Sequence, residues 1–224
     1  MYPNAPLLGY RGGMPTPETK STRRREATRE RLLDAARDVL ASSGIQGATV
    51  EEICDRAGFT RGAFYSNFET KDDLVLDLFR REKDLMLGRV QAALDIELRS
   101  RAETDAETIL RVLDQFLGSQ PTDRTWFLVH QEFVIHGVRQ REIAAVYQEL
   151  WTQTQAEFAT IITGAVEALQ RKLALPVEQM TLILMGVFDE AMRNAFLSNS
   201  ADDFDATVLR EMLPALLMAV SEPL

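Results

Sequence analysis

The segment that decides the fold covers residues 49–78 and reads TVEEICDRAGFTRGAFYSNFETKDDLVLDL. Thr49 and Glu52 are spaced as a capping box, in which each side chain satisfies a free backbone donor at a helix start. Gly58 follows the helix that this box begins, because glycine adopts positive φ without a Cβ penalty. Thr60, two residues later, is suited to cap a third helix. The segment therefore predicts two short helices joined by a tight turn.

Helical patterns continue on both sides of this segment. Before it, apolar residues recur at three- and four-residue spacing over about 25–43, which is typical of one buried face of an amphipathic helix that Gly44 ends. The residues of that face are Leu32, Ala36, Val39 and Leu40. After it, Thr70 with Asp73 begins a fourth helix, which is expected to run to about residue 100.

Five more helices are predicted beyond residue 100. We place them over about 106–117, 123–136, 141–172 and 176–199, with a last one capped by Asp202 or Asp203. Pro176 suits a first helical turn, whereas Pro214 is expected to kink or split the last helix. The sequence shows no alternating strand pattern, internal repeat or hairpin. It therefore predicts an all-α fold.

Composition limits the class of protein. The 224 residues suffice for a small and a larger domain, each with its own core. No stretch approaches the roughly 18 uninterrupted apolar residues of a membrane helix, so we expect a soluble protein without membrane contact. Residues 1–19, rich in proline and glycine, are interpreted as a disordered tail in which Met14 is an alternative translation start. Cys54, the single cysteine, forms no internal disulfide, which favours the cytoplasm.

The net charge of −9 is unevenly distributed. Residues 1–71 contain 11 Lys and Arg against 9 Asp and Glu, giving +2, whereas residues 72–224 contain 14 against 25, giving −11. Residues 20–31 hold a basic cluster of Lys20, Arg23, Arg24, Arg25, Arg29 and Arg31. Because phosphate backbones attract lysine and arginine, this end of the chain favours a nucleic-acid partner. Solvated surface is the alternative for such a cluster.

Residues 49–78 resemble the DNA-binding region of the TetR family of regulators. The resemblance rests on many residue types at fixed offsets, and with the preceding helix it covers roughly a quarter of the chain. Its features are the Thr49-capped helix, the turn at 57–60, the small pair Gly62 and Ala63, Tyr65, the pair Asn67 and Phe68, and Lys71. The resemblance implies a helix-turn-helix DNA-binding domain over 20–71 and a helical bundle over 72–224 for ligand binding and dimerisation.

The third helix, expected from Arg61 to about Asn67, is the candidate for reading DNA, because a short helix reaches base edges by entering the major groove. Gly62 and Ala63 remove side-chain bulk, so the backbone can approach the duplex and Arg61 can reach a guanine or a phosphate. Hydroxyls, cationic groups and helix starts around it suit phosphate. The predicted DNA-binding residues are Arg23, Arg24, Arg25, Thr49, Thr60, Arg61, Gly62, Ala63, Tyr65, Ser66 and Lys71. Phe59, Phe64, Phe68 and Cys54 are expected to pack the three helices together instead.

Aromatic stripes in the second domain are candidates for a ligand pocket. Trp126, His130 and Phe133 fall at i, i+4 and i+7, and a similar stripe begins at Tyr147 and Trp151. Ordinary core packing is the alternative, but polar-tipped aromatic residues with nearby methionines suit a cavity for a mainly apolar ligand. The predicted ligand-binding residues are Trp126, His130, Phe133, Tyr147, Trp151, Met185 and Met192.

The last two helices carry more apolar residues than a small bundle buries by itself. These are Ile183, Leu184, Val187, Phe188 and Ala191 in one helix, and Val208, Leu209, Met212, Leu216 and Leu217 in the other. We expect them to pair in a homodimer about a two-fold axis, with the reading heads about 34 to 36 Å apart.

No enzymatic, metal or cofactor signature is present. His130 and His136 do not share a helix face, and the sequence contains no H-E-x-x-H motif, cysteine pair or glycine-rich phosphate loop. We therefore predict a non-enzyme without a cofactor or metal, most simply a repressor that a small effector releases from double-stranded operator DNA by moving the fourth helix. The alternatives are an activator, a protein-interaction module of the same fold, and a helical-bundle enzyme.

Overall fold

The computed structural model describes residues 20–99, 104–119, 124–198 and 206–224. Over these ranges the chain forms nine helices and one short strand pair. The helices are α1 (Lys20–Gly47), α2 (Val50–Ala57), α3 (Arg61–Tyr65), α4 (Lys71–Arg99), α5 (Asp105–Ser119), α6 (Arg124–Arg139), α7 (Arg141–Ala168), α8 (Val177–Ser198) and α9 (Thr207–Ala219). The strands are β1 (Arg171–Leu173) and β2 (Ser221–Pro223). The predicted tail at 1–19, with Met14, and the predicted caps Asp202 and Asp203 lie outside the described residues.

Helices α1 to α3 form a small head whose turns follow the predicted caps. The Glu52 amide donates to the Thr49 hydroxyl at 3.1 Å, and the Thr49 amide donates to the Glu52 carboxylate at 2.9 Å, which completes the capping box. Gly58 ends α2 with φ 70° and ψ 36°, a left-handed conformation that favours glycine. Phe64 and Phe68 are buried in the core that joins the three helices, as predicted.

Helices α4 to α9 form the body, and the head core continues into it. One cluster of buried residues runs from the head through Phe79 on α4 to Phe133 on α6 and Leu150 on α7. A second cluster joins α5, α8 and α9 around Leu113 and Leu209. Because the first cluster spans both units, head and body are packed together and not merely tethered.

The short strand pair is the part of the fold that the sequence analysis missed. Helix α7 ends at Ala168 and not near residue 172, and Gln170 with φ 55° turns the chain into β1. Strand β1 pairs antiparallel with β2, and the buried Arg171 guanidinium donates to the Ser221 carbonyl at 2.6 Å and to its hydroxyl at 2.8 Å. These bonds stabilise a strand where helical periodicity alone would extend the helix.

Two helix boundaries also differ from expectation. Helix α3 ends at Tyr65 and not at about residue 67, because Asn67 turns its side chain back to donate to the Ala63 carbonyl at 2.8 Å. Pro214 does not split the last helix, since α9 is continuous from Thr207 to Ala219, whereas a kink there stays a prediction. Proline lacks one backbone N–H donor, but Leu209 on the same helix is still buried in the second core. This packing stabilises the helix despite the missing hydrogen bond.

Candidate DNA-binding head and ligand cavity

Helix α3 presents an open face on the head. Arg61, Gly62, Tyr65 and Ser66 are exposed, while Phe64 is fully buried on the opposite face. The neighbouring Tyr65 side chain raises the pKa of Arg61 above its usual value. The structure thus brings four of the predicted DNA-binding residues to one surface, and Ala63 lies half-buried beside them.

The hydroxyl groups around α3 already have partners within the head. Thr49 Oγ1 donates to the Glu52 carboxylate at 2.9 Å, and Thr60 Oγ1 accepts from the Ala63 amide at 3.3 Å. Ser66 Oγ donates to the Ala63 carbonyl at 2.8 Å. These side chains therefore order the helix ends themselves.

The basic cluster on α1 divides into an outer and an inner group. Arg23, Arg24 and Arg25 are exposed. Arg29 and Arg31 instead stabilise the head: Arg31 donates to the Ala57 carbonyl at 2.8 Å and lies over the Phe59 ring, and Arg29 donates to the Asn67 carbonyl at 3.1 Å. The outer group is exposed and is therefore placed to meet a partner.

Lys71 has an internal role that the sequence analysis did not foresee. Its ammonium donates to the carbonyls of Ile45 at 2.6 Å and Ala48 at 2.7 Å, at the end of α1. A phosphate contact was the sequence-based prediction for Lys71. The geometry assigns this side chain to holding α1 against the start of α4.

A carboxylate from the body binds the backbone of the same residue, Ile45. Glu132 on α6 accepts a hydrogen bond from the Ile45 amide at 2.9 Å. It reaches this amide because Gly44 has φ 70° and ψ 167°, and a Cβ there would come within 2.8 Å of the Glu132 carboxylate. Lys71 and Glu132 thus satisfy both polar groups of Ile45. We call this contact the junction clamp.

A large cavity occupies the body. It has a volume of about 700 Å³ and is lined by α4 to α9, β1 and Ser221. Six of the seven predicted ligand-binding residues line it: Trp126, His130, Tyr147, Trp151, Met185 and Met192. Phe133 is the exception, because its ring is buried against Phe79 at a centroid distance of 4.7 Å and belongs to the core.

Polar groups gather on the wall that α6, α7 and α8 form. Asp189 Oδ1 accepts from the Gln131 side chain at 2.9 Å and lies 4.0 Å from His130 Nδ1. Burial lowers the pKa of His130, opposed by the Asp189 carboxylate, so the imidazole is neutral near pH 7. Burial, reinforced by Asp189, raises the pKa of Tyr147 to about 12, so its hydroxyl stays protonated. The spacing of aromatic residues predicted this part of the cavity wall. Gln131 and Asp189 were not predicted, because nothing in the sequence distinguishes them from other polar residues on these helices.

The predicted dimer face is only partly directed outward. Ile183, Val208 and Met212 are exposed, together with Leu182, which the prediction did not include. Ala191 and Leu209 are buried in the second core, and Leu184, Phe188 and Leu217 line the cavity. The face that remains for a partner is therefore narrower than the sequence indicated.

The described residues contain neither a membrane-spanning helix nor a metal-binding cluster. No described helix combines the length and hydropathy that crossing a membrane requires. Within the same ranges, no group of three or more His, Cys, Asp and Glu side chains is arranged to hold a metal ion.

Comparison with known proteins finds relatives for the head. The model of bacterial regulatory proteins of the tetR family matches residues 32–78, which run from α1 through α3 into α4. Residues 32–78 of this chain are therefore similar to regulators of that family. The chain is 31% identical over 93 residues to the HTH-type transcriptional repressor KstR2 of Rhodococcus jostii, a match that covers 42% of this chain and 46% of KstR2. The match thus spans less than half of that relative.

Two other comparisons extend over most of the chain. The HTH-type transcriptional regulator AcrR of Shigella flexneri is 24% identical over 180 residues, 78% of this chain and 81% of AcrR. The solved structure of the transcriptional regulator FadR from Bacillus subtilis in complex with stearoyl-CoA superposes with a TM-score of 0.62 at 22% identity, covering 84% of this chain and 96% of FadR. This last likeness shows a shared fold. The proteins named here are described as regulators, and none as an enzyme.

Proposed function

We propose that the protein is a homodimeric transcription regulator that binds double-stranded operator DNA through α3 and releases it when a small, mainly apolar effector enters the body cavity. The observation that carries the DNA-binding part is Gly62. A Cβ at this position would meet nothing closer than Thr60 Oγ1 at 3.7 Å, so the protein's own packing does not require glycine. Because Gly62 lies on the exposed face of α3, its missing side chain lets the helix backbone approach an external duplex.

The surrounding residues support the same partner. Arg61 and Tyr65 flank Gly62 on the exposed face, and Arg23, Arg24 and Arg25 add positive charge on α1. We assign Arg61 to a base edge and the three arginines to phosphates, because guanidinium groups suit both acceptors. Lys71 acts as a positioning residue that fixes the head through the junction clamp.

Repression by release requires that the cavity and the head be coupled. Helix α6 joins them directly: Trp126 and His130 line the cavity, while Glu132 on the same helix holds the Ile45 amide in the head. Helix α4 provides a second connection from Lys83 in the cavity wall to Lys71 at its start. A ligand that displaces either helix changes the separation of the two heads and hence the fit to the operator.

The test selects fragments of genomic DNA that the full-length protein retains at a stated salt concentration. We expect a preferred sequence with two-fold symmetry. Arg61→Ala should weaken binding to that sequence by about 1 to 3 kcal/mol while changing binding to random DNA much less. Arg56→Ala is the matched control, because Arg56 is an exposed head arginine engaged with Asp38 at 2.6 Å.

The alternative outcomes separate the remaining interpretations. No preference for any duplex over random competitor would refute a DNA-reading function and favour a protein-interaction module. Equal loss on all sequences for Arg61→Ala would move Arg61 from base to phosphate. Transcription that rises with the bound protein would indicate an activator.

A further inference from the structure

The cavity holds two polar groups that the protein itself leaves without hydrogen bonds. Among the residues that the structure describes, neither the Tyr147 hydroxyl nor the ring nitrogens of His130 have a hydrogen-bonding partner. Both lie in a wall that is otherwise mainly apolar, and both face the field of the Asp189 carboxylate. Both side chains are half-buried at the cavity, and polar groups shielded from bulk water normally find partners, so this pair marks the place where a ligand's polar group sits.

The cations of the cavity wall are already paired with carboxylates. Lys83 donates to Glu157 at 3.1 Å, and Arg171 donates to Asp105 at 3.2 Å. Arg193 is bound to Asp189. These pairs leave no unneutralised positive charge to attract an anionic ligand.

The Asp189 carboxylate limits which polar group a ligand can place at this wall. It lies next to His130 and shares Arg193 with Glu190, so two carboxylates face one guanidinium and the remaining negative charge repels an anionic oxygen at this wall. The Tyr147 hydroxyl is a donor, and neutral imidazole offers one donor and one acceptor. A ligand hydroxyl satisfies both kinds of partner, because it donates through its hydrogen and accepts through its oxygen. A trimethylammonium group offers no N–H donor to these partners.

We infer that the cavity binds an uncharged hydrophobe bearing a hydroxyl group, which is held by Tyr147, His130 and Asp189. This inference rests on the proposed function, since it names the chemical class of the effector. The apolar remainder of the ligand lies against Trp126, Trp151, Met185 and Met192. A volume of about 700 Å³ accommodates a molecule of drug size.

The test compares ligands that differ only in the head group. The probes are 1-decanol, decanoate and decyltrimethylammonium, with shorter and longer 1-alkanols to vary the chain. Binding is followed by intrinsic tryptophan fluorescence, because the chain has two tryptophans and both line the cavity. We expect an alkanol to bind at least tenfold more tightly than the carboxylate and the ammonium of equal chain length.

Tyr147→Phe tests the hydroxyl contact. Loss of one hydrogen bond of about 1 to 1.5 kcal/mol should weaken alkanol binding about 5- to 12-fold and leave binding of the two charged probes unchanged. Thr160→Val is the control, because it removes an exposed hydroxyl on the same helix that bonds only to the Ala156 carbonyl. Circular dichroism and the urea midpoint verify that each variant is folded.

Several results would overturn the inference. These are decanoate or decyltrimethylammonium binding as tightly as any alkanol, an unchanged alkanol affinity in Tyr147→Phe, and a lack of binding by every alkanol. DNA release is measured separately on a selected operator fragment. If decanoate binds and releases the DNA, the ligand class is wrong while the proposed function stands. If an alkanol binds without releasing the DNA, the ligand class stands and the effector role fails.

Discussion

The junction clamp gives a sharp prediction for Gly44→Ala. Gly44 has φ 70° and ψ 167°, a region that is populated almost only by glycine, and an alanine Cβ would lie 2.8 Å from the Glu132 carboxylate. The backbone strain costs about 1 to 3 kcal/mol. Displacing Glu132 also removes its hydrogen bond to the buried Ile45 amide, which costs about 1.5 to 3 kcal/mol because one partner is charged. Together these effects should lower the free energy of unfolding by about 3 kcal/mol or more.

Urea unfolding of the full-length protein measures the effect against a matched glycine. Gly47 lies three residues away near the end of α1, where a Cβ would meet only Ser43 Cβ at an ordinary 3.5 Å. Gly47→Ala should therefore be neutral or stabilising by up to about 1 kcal/mol. A Gly44→Ala midpoint equal to that of Gly47→Ala would refute the reasoning.

A double-mutant cycle separates strain from the lost hydrogen bond. In a Glu132→Ala background the hydrogen bond is already absent, so Gly44→Ala should cost only the backbone strain of about 1 to 3 kcal/mol. The coupling energy of the two substitutions then measures the interaction between Gly44 and Glu132 in the junction clamp. Additive effects would show that Gly44 and Glu132 act independently, and the clamp would have no energetic basis.

Three further predictions concern the head, the cavity and the dimer. Lys71→Met should lower the free energy of unfolding by about 2 kcal/mol, because two carbonyls lose a charged donor. Unlike Arg25→Ala, it should leave the salt dependence of DNA binding unchanged. A slope reduced by about one would show that Lys71 contacts a phosphate. His130 has a lowered pKa, so its contribution to stability is present above pH 6.5 and is lost as pH falls through the folded-state pKa. Urea midpoints at about pH 7 and about pH 5 should therefore differ less in His130→Gln than in the unmodified chain, and equal differences would contradict this. Light scattering should give a dimer that Val208→Glu dissociates, whereas Val138→Glu, also exposed but on α6, should not affect it; a monomeric unmodified protein would contradict this.

The sequence predicted the head well because its signals are local. A capping box, a glycine after a helix and a threonine before the next one act over a few residues, so Thr49, Gly58 and Thr60 are readable without the tertiary structure. Aromatic spacing also located most of the cavity wall. The exception, Phe133, has the same periodicity as its neighbours, and only the packing of α4 against α6 distinguishes core from cavity.

The features that escaped prediction depend on contacts between distant segments. Lys71 and Glu132 meet Ile45 across 26 and 87 positions of the chain, and no local pattern marks either residue. Strand β1 exists because it pairs with β2, 50 residues away. Leu182 is exposed and Leu209 is buried because of the way α8 and α9 pack. The sequence alone does not distinguish an exposed leucine from a buried one in such apolar helices.

The pairing of β1 with β2 makes the carboxyl end of the chain part of the chamber. Ser221 lines the cavity, and the Leu224 amide donates to the Gln170 carbonyl at 2.9 Å. Removing residues 221–224 should therefore change effector affinity before it changes operator affinity, because Ser221 lines the cavity whereas the reading head lies within residues 20–71.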